Sequence, residues 1–343
     1  MLPFIDRNVV DPKTTRYRRN HNTAVKETEE RLNELYGGYR TILCNSGMEA
    51  INTTFDLIKP NTVIVDDETY FETRNYLLYR GQCDVIQIED LNNLDALEKA
   101  IKGARTPFIV CGDTPSTFGN WKNVRGISEL THRYGGYVMM DNSIASIYYC
   151  NPLKDGADIC VESYTKYVIG YGDGFAGGIA LNRSMEWLEH MKMPNPAPRT
   201  SPVNDTLARR GNHVTPETAY LVARGLETLK VRMDTHTKSA RLIYQTMKNC
   251  GVDAQYSGCG GLITLPKKTE DFCKKLAKFV TVGTFGCTYS NADFFRNDSF
   301  YRAGFCARLS IGLENPDELI KDIENALGVG LMKEYERLKC KQL

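Results

Sequence analysis

The chain has 343 residues, 42% apolar and 25% charged, which gives room for a large core and most simply two domains. Its 43 basic and 42 acidic side chains leave a formal net charge of +1, so composition offers no electrostatic case for nucleic acid or an anionic membrane surface. No apolar stretch reaches bilayer-spanning length, and Met1-Leu2-Pro3-Phe4-Ile5-Asp6-Arg7 puts an acid and a base where a secretion signal needs its apolar segment; a soluble, cytoplasmic protein is expected.

In chain order, a helix over residues 23–36 ends at the glycine stop Gly37-Gly38. A short strand to Leu43 leads through Asn45-Ser46-Gly47 into a helix from Met48 to Ile58. Apolar runs at 63–65, 85–88, 108–110, 138–140, 159–161 and 178–181 read as strands, with helical stretches near 72–80, 94–102 and 127–134. This alternation predicts an α/β chain with a mostly parallel sheet covered by helices on both faces. After prolines at 194, 196, 198 and 202, Thr215-Pro216-Glu217 opens a long helix towards Asn249. A smaller C-terminal α/β domain follows, its last helix starting near Pro316 and Asp317. Domain boundaries are expected at 1–20 for a short N-terminal arm, 21–212 for the large domain and 213–343 for the small one. The 11 cysteines show no Cys-x-x-Cys and no Cys/His set at zinc spacing, so reduced structural thiols and no metal site are expected.

Lys166 closes Ser163-Tyr164-Thr165-Lys166 after the strand-like run Ala157–Val161, and Asp141 ends the apolar run Tyr137–Met140. A lysine and an acid at the ends of two buried strands suit pyridoxal 5'-phosphate: the amine takes the aldehyde and the carboxylate pairs with the pyridinium nitrogen. Ser163 and Thr165 can bond the phosphate. Ser46-Gly47-Met48, between a strand and a helix, offers backbone N–H groups to an anion, although a plain helix cap explains the same three residues. Tyr17-Arg18-Arg19 adds a phenol and two guanidiniums suited to a phosphate dianion, in a position where basic residues are usually just solvated. Gly172-Asp173-Gly174-Phe175-Ala176-Gly177 matches a dinucleotide fingerprint, but the residues after it read as a strand, where that fingerprint requires a helix.

These pieces resemble the Cys/Met-metabolism (trans-sulfuration) family of fold type I, aminotransferase-like pyridoxal-phosphate enzymes, which includes cystathionine and methionine γ-lyases and homoserine-ester sulfhydrylases and synthases. The resemblance runs from about Tyr17 to Leu327. Its specific stretches are Ser46-Gly47-Met48, Asp141-Asn142-Ser143, Ser163–Lys166, Arg224–Leu229, Arg232-Met233 and Arg308–Glu314. It implies that Lys166 is the Schiff-base lysine and proton shuttle, that Asp141 keeps the ring nitrogen protonated, and that Ser46, Gly47, Met48, Ser163 and Thr165 hold the phosphate. Tyr17 and Arg19 match the residues that reach a neighbouring subunit's phosphate, which implies a homodimer with shared active sites, and the family usually pairs such dimers into homotetramers. Tyr70 matches the aromatic stacked on the ring, Arg308 the clamp on the substrate α-carboxylate, and Ser290 a serine of the C-terminal active-site loop.

The chain departs from the family pattern in places. Tyr-Gly-x-Thr reads Tyr70-Phe71-Glu72-Thr73, which puts a bulky ring and an acid, Glu72, on the substrate side. The asparagine expected at the ring hydroxyl is Thr117, and few residues precede Tyr17. The implied activity is α,γ- or α,β-elimination on a sulfur-containing or related amino acid. The alternative is γ-replacement on an activated homoserine, and a third reading is a cofactor-binding protein with little catalysis. The first two share every residue named.

Overall fold

The structure is a computed structural model and describes residues 22–191, 201–295 and 306–342. The chain divides into two compact units. The first ends at Glu227 and leaves out residues 115–121 and 170–172, which belong with the second, from Thr228 onward. The division after Glu227 falls inside a long helix. The early part of that helix packs on the first unit: Ala219 and Val222 are buried with Leu32, Leu43 and Val168.

In the first unit, β1 (Arg40–Cys44), β2 (Thr62–Asp66), β3 (Asp84–Ile88), β4 (Phe108–Asp113), β5 (Tyr137–Asp141), β6 (Ile159–Glu162) and β7 (Gly177–Leu181) form one sheet in the order β1-β7-β6-β5-β4-β2-β3. All neighbours from β6 to β3 are parallel, and β7 runs antiparallel to both β1 and β6. The strands are apolar at successive positions because both faces are covered. Val63, Val65, Ile109 and Met139 pack on one face with Phe55 and Leu77, while Ile64, Val110, Val138 and Met140 pack on the other with Leu97, Ile101 and Ile127. The helices are α1 (Thr23–Tyr36), α2 (Gly47–Ile58), α3 (Phe71–Arg80), α4 (Leu94–Lys102), α5 (Val124–Arg133), the single turn α6 (Ser146–Tyr149), α7 (Pro202–Arg210) and the long α8 (Pro216–Asn249). The Gly172–Gly177 run leads into strand β7 and not into a helix, as the residues after it indicate.

Parallel strands bring their C-terminal ends to one sheet edge, the place where open α/β sheets carry ligands. Ser46 follows β1, Tyr70 follows β2, Asp113 and Asp141 end β4 and β5, and Ser163–Lys166 follows β6.

The second unit is built on β8 (Gln255–Tyr256), β9 (Leu262–Pro266), β10 (Val280–Thr281), β11 (Asn291–Phe295) and β12 (Cys306–Ser310), in the order β10-β11-β12-β9-β8. With α9 (Glu270–Lys275), α10 (Pro316–Leu327) and α11 (Met332–Gln342) it encloses a core of Ile263, Leu265, Leu309, Ile320, Ile323 and Tyr335. The helix near Pro316 is not the last, because α11 follows it. In the sequence of α11, MKEYERLKCKQ, Met332, Tyr335 and Leu338 face that core, a short stripe among mostly charged neighbours.

Candidate active site

Ser46 caps α2, its Oγ accepting the Glu49 N–H at 3.1 Å. The first amides of the helix, at Gly47 and Met48, have no intrahelical acceptor and lie at the positive end of its dipole. Gly47 is held against the lysine loop: a Cβ there would stand 2.7 Å from Ser163 Cβ. Gly177 allows the same closeness from β7, since a Cβ there would meet the Ser46 carbonyl oxygen at 2.3 Å. The helix N-terminus and Ser163 thus form a cradle that glycine alone permits.

Asp141 is fixed by its neighbour two residues on. Ser143 donates to Asp141 Oδ1 from its hydroxyl at 2.6 Å and from its N–H at 2.9 Å, and Ser143 Oγ accepts the Ser163 N–H at 2.8 Å. Both bonds fall on Oδ1, which leaves Oδ2 for another donor. Burial raises the Asp141 pKa, while the Ser143 bonds and the charge of Lys166 act to lower it. Lys166 and Asp141 are therefore within electrostatic reach, as their placement on adjoining strand ends requires.

Asp113 stands directly opposite Asp141 in the parallel register of β4 and β5. Burial first, and the Asp141 charge second, push its carboxyl well above the usual range, and it accepts the Tyr70 N–H. Tyr70 opens α3, with its ring edge-on to Phe71 at 4.9 Å between centroids. Glu72 lies in the first turn of α3, a position where an acid also complements the helix dipole.

Thr165 is committed to the backbone. Its hydroxyl donates to Ala176 O at 3.1 Å and accepts the Ala176 N–H at 3.0 Å, so its proton reaches an anion only by giving up Ala176. In the second unit, Ser290 is spent in the same way, donating to Glu314 at 2.9 Å and accepting the Gly312 N–H at 2.8 Å. Arg308 is buried on β12, with its guanidinium 4.4 Å from the Phe295 centroid and 5.4 Å from that of Phe285. The Thr117 carbonyl accepts the Thr264 hydroxyl at 2.7 Å, which pins the 115–121 segment to β9. Tyr17 and Arg19 lie outside the described residues.

Sequence reasoning passed over Asp113 and the role of Ser143. An acid followed two residues later by serine is a local turn signal that points to Ser143. Only strand register reveals that Asp113 faces Asp141.

These residues fit pyridoxal phosphate. An open carboxylate oxygen answers a pyridinium N–H, a glycine-lined helix N-terminus answers a phosphate, and a lysine follows on the next strand end. The fold is that of the fold type I pyridoxal-phosphate enzymes. It superposes on a cystathionine γ-synthase from Xanthomonas oryzae pv. oryzae with a TM-score of 0.81 at 22% identity, covering 95% of this chain and 92% of that one. The family model for Cys/Met metabolism PLP-dependent enzymes matches residues 6–254, and the chain belongs to that family. An L-methionine γ-lyase from Pseudomonas deceptionensis is 29% identical over 238 residues, covering 68% of this chain but only 56% of its own length. Another, from Fusobacterium nucleatum subsp. polymorphum, is 27% identical over 354 aligned positions, covering 91% of this chain and 85% of that relative.

Proposed function

We propose that the protein is a pyridoxal-phosphate-dependent lyase that eliminates a β or γ substituent from a sulfur-containing or related amino acid. The observation that carries this reading is the Lys166–Asp141 pair on neighbouring strand ends, with Asp141 braced by Ser143 and open at Oδ2. Similarity to proteins named methionine γ-lyase favours elimination over γ-replacement. When bound, the cofactor supplies an electron sink for the charge left at Cα.

The chain's own residues do the rest. Lys166 would hold the cofactor through its aldehyde, and its side-chain amine is the group that would take the Cα proton. Asp141 Oδ2 accepts the pyridinium N–H and keeps that proton in place. The Gly47 and Met48 amides and the Ser163 hydroxyl hold the phosphate, with Thr165 fixing the loop between them. Tyr70 packs on the ring, Arg308 binds the substrate carboxylate, and Glu72 borders the substrate side chain. The family resemblance assigns Tyr17 and Arg19, which lie outside the described residues, to a second subunit's phosphate, and on that assignment the working unit is a homodimer.

The test is the visible absorbance of purified protein with added pyridoxal phosphate, followed by titration with methionine, cystathionine, cysteine and O-acylated homoserine. A visible band that is absent in Lys166→Ala and shifts with one of these amino acids supports the reading. A colourless parent protein sinks it. Product analysis with and without an added thiol separates elimination from γ-replacement.

A further inference from the structure

The second unit's sheet has a core face and a polar face. Ala292, Ala307, Leu309, Ile263 and Leu265 turn to the core. Directly paired residues of antiparallel strands share a face, so the other face sets Asn291 beside Ser310, Asp293 beside Arg308, and Arg308 beside Thr264. Two polar groups there are matched internally: Ser310 Oγ accepts the Gly286 N–H at 3.1 Å, and Thr264 donates to Thr117.

Two side chains are not matched. Among the described residues, the buried Arg308 Nε has no hydrogen-bond partner, and neither does either amide atom of Asn291, a residue 1% exposed. Asp293 stands 3.6 Å from Arg308, near enough for charge attraction but beyond hydrogen-bond length. The Phe285 and Phe295 rings orient the guanidinium and shield it from water.

A buried amide with no partner is destabilising, whereas an apolar side chain of similar size is not. Asn291 therefore suits a bond to something outside the folded chain. Ser290 next to it cannot serve, because Glu314 and Gly312 occupy its hydroxyl. Asn291 and Arg308 are diagonal neighbours on paired strands, a separation of roughly 7–8 Å that both side chains can bridge to one small planar anion.

We propose that Asn291 is a ligand-binding residue whose Nδ2 donates to the same substrate carboxylate that Arg308 binds. The proposal rests on the role given to Arg308 above. It makes Asn291 a determinant of how tightly α-carboxylates are held.

The experiment uses the holoprotein, its Asn291→Leu and Asn291→Asp variants, and two probes with no leaving group to eliminate: L-norleucine and n-pentylamine, the same molecule without its carboxylate. Asn291→Leu is expected to melt at or above the parent temperature and to bind L-norleucine about tenfold more weakly, the loss of one charge-assisted bond. Affinity for n-pentylamine should not change. Asn291→Asp, which keeps the shape but repels the carboxylate, should lose more L-norleucine affinity and none for the amine. Lower melting of Asn291→Leu with parent-like L-norleucine affinity would make the amide structural and overturn the proposal, as would parent-like affinity in Asn291→Asp. If the parent itself binds neither probe, the enzyme reading fails and this proposal with it; if the parent binds and the variants match it, only this proposal fails.

Discussion

Ser143 joins two residues with different duties. Its hydroxyl donates to the acid proposed to hold the ring nitrogen and accepts the amide of the serine proposed to hold the phosphate. Ser143→Ala leaves the Ser163 N–H without that acceptor and removes one of the two bonds on Asp141 Oδ1. Each loss costs on the order of 1–3 kcal/mol, so pyridoxal phosphate should bind at least about tenfold more weakly in an absorbance titration. Ser143→Thr, which keeps the hydroxyl, should bind like the parent. The direction with pH also follows. The Ser143 bonds act to lower the Asp141 pKa against burial, so removing one raises it, and cofactor affinity in Ser143→Ala should fall away at a higher pH than in the parent. Equal affinities and equal pH profiles would show that the relay is incidental. Gly47 gives a steric counterpart: Gly47→Ala places a methyl 2.7 Å from Ser163 Cβ. The cradle must open, and the melting temperature of the apoprotein should drop together with its cofactor affinity.

Among the elements, the turn between β2 and α3 depends on a buried cation. The Lys122 side chain is 1% exposed and lies 2.6 Å from Asp66, 3.1 Å from Asp90 and 3.7 Å from Glu68. Asp66 in turn accepts the Thr69 hydroxyl at 2.9 Å and the Glu68 N–H at 3.2 Å, which shapes the turn that delivers Tyr70. Lys122→Met strands a buried carboxylate, a change that costs on the order of 3–5 kcal/mol. Urea denaturation should show that loss, and a stability within experimental error of the parent would mean that Asp66 finds another partner. The lysine also marks where sequence reading runs out. The strands were legible because a sheet covered on both faces spells continuous apolar runs, and Lys166 and Asp141 were legible because each ends such a run. Lys122, by contrast, looks like any solvated lysine, and its burial depends on three acids distant in sequence. The facing of Asp113 and Asp141 is a matter of register between strands, which no local pattern encodes. Thr165 and Ser290 stand out in the sequence only as hydroxyls in matching motifs, and their commitment to Ala176 and Glu314 belongs to tertiary structure.

At the scale of the whole molecule, buried groups outside the Asp113–Asp141 pair also link folding to pH, among them Glu162, Glu29 and His236. Glu162, which accepts the Tyr36 hydroxyl at 2.5 Å and the Ile147 N–H at 3.2 Å, is raised from 4.5 to about 7, chiefly by burial. Glu29, which accepts the Leu43 N–H at 2.8 Å, is raised from 4.5 to about 7 for the same reason. His236, bonded through Nδ1 to the Ile311 carbonyl at 2.7 Å, is lowered by burial from 6.5 to about 4. A raised acid contributes stability that is full below its unfolded value and is lost as pH climbs through its folded one. The two glutamates therefore weaken the fold between roughly pH 4.5 and 7. A lowered histidine acts in the opposite sense, weakening the fold as pH falls through roughly 6.5 towards 4. Across the shared window the folded chain keeps two protons that the unfolded chain releases and refuses one that it binds, so these groups together favour the acidic side. Replacing Glu162 by glutamine keeps an acceptor for Tyr36 and Ile147 and removes the ionisation. At about 1.4 kcal/mol per pKa unit, the stability of Glu162→Gln relative to the parent should improve by roughly 3 kcal/mol between pH 4.5 and pH 8. Urea titrations of both proteins at these two pH values measure that difference directly. A relative stability that does not change with pH would mean that Glu162 ionises in the folded chain much as it does in the unfolded one, and that its burial with Tyr36 leaves no proton-linked contribution.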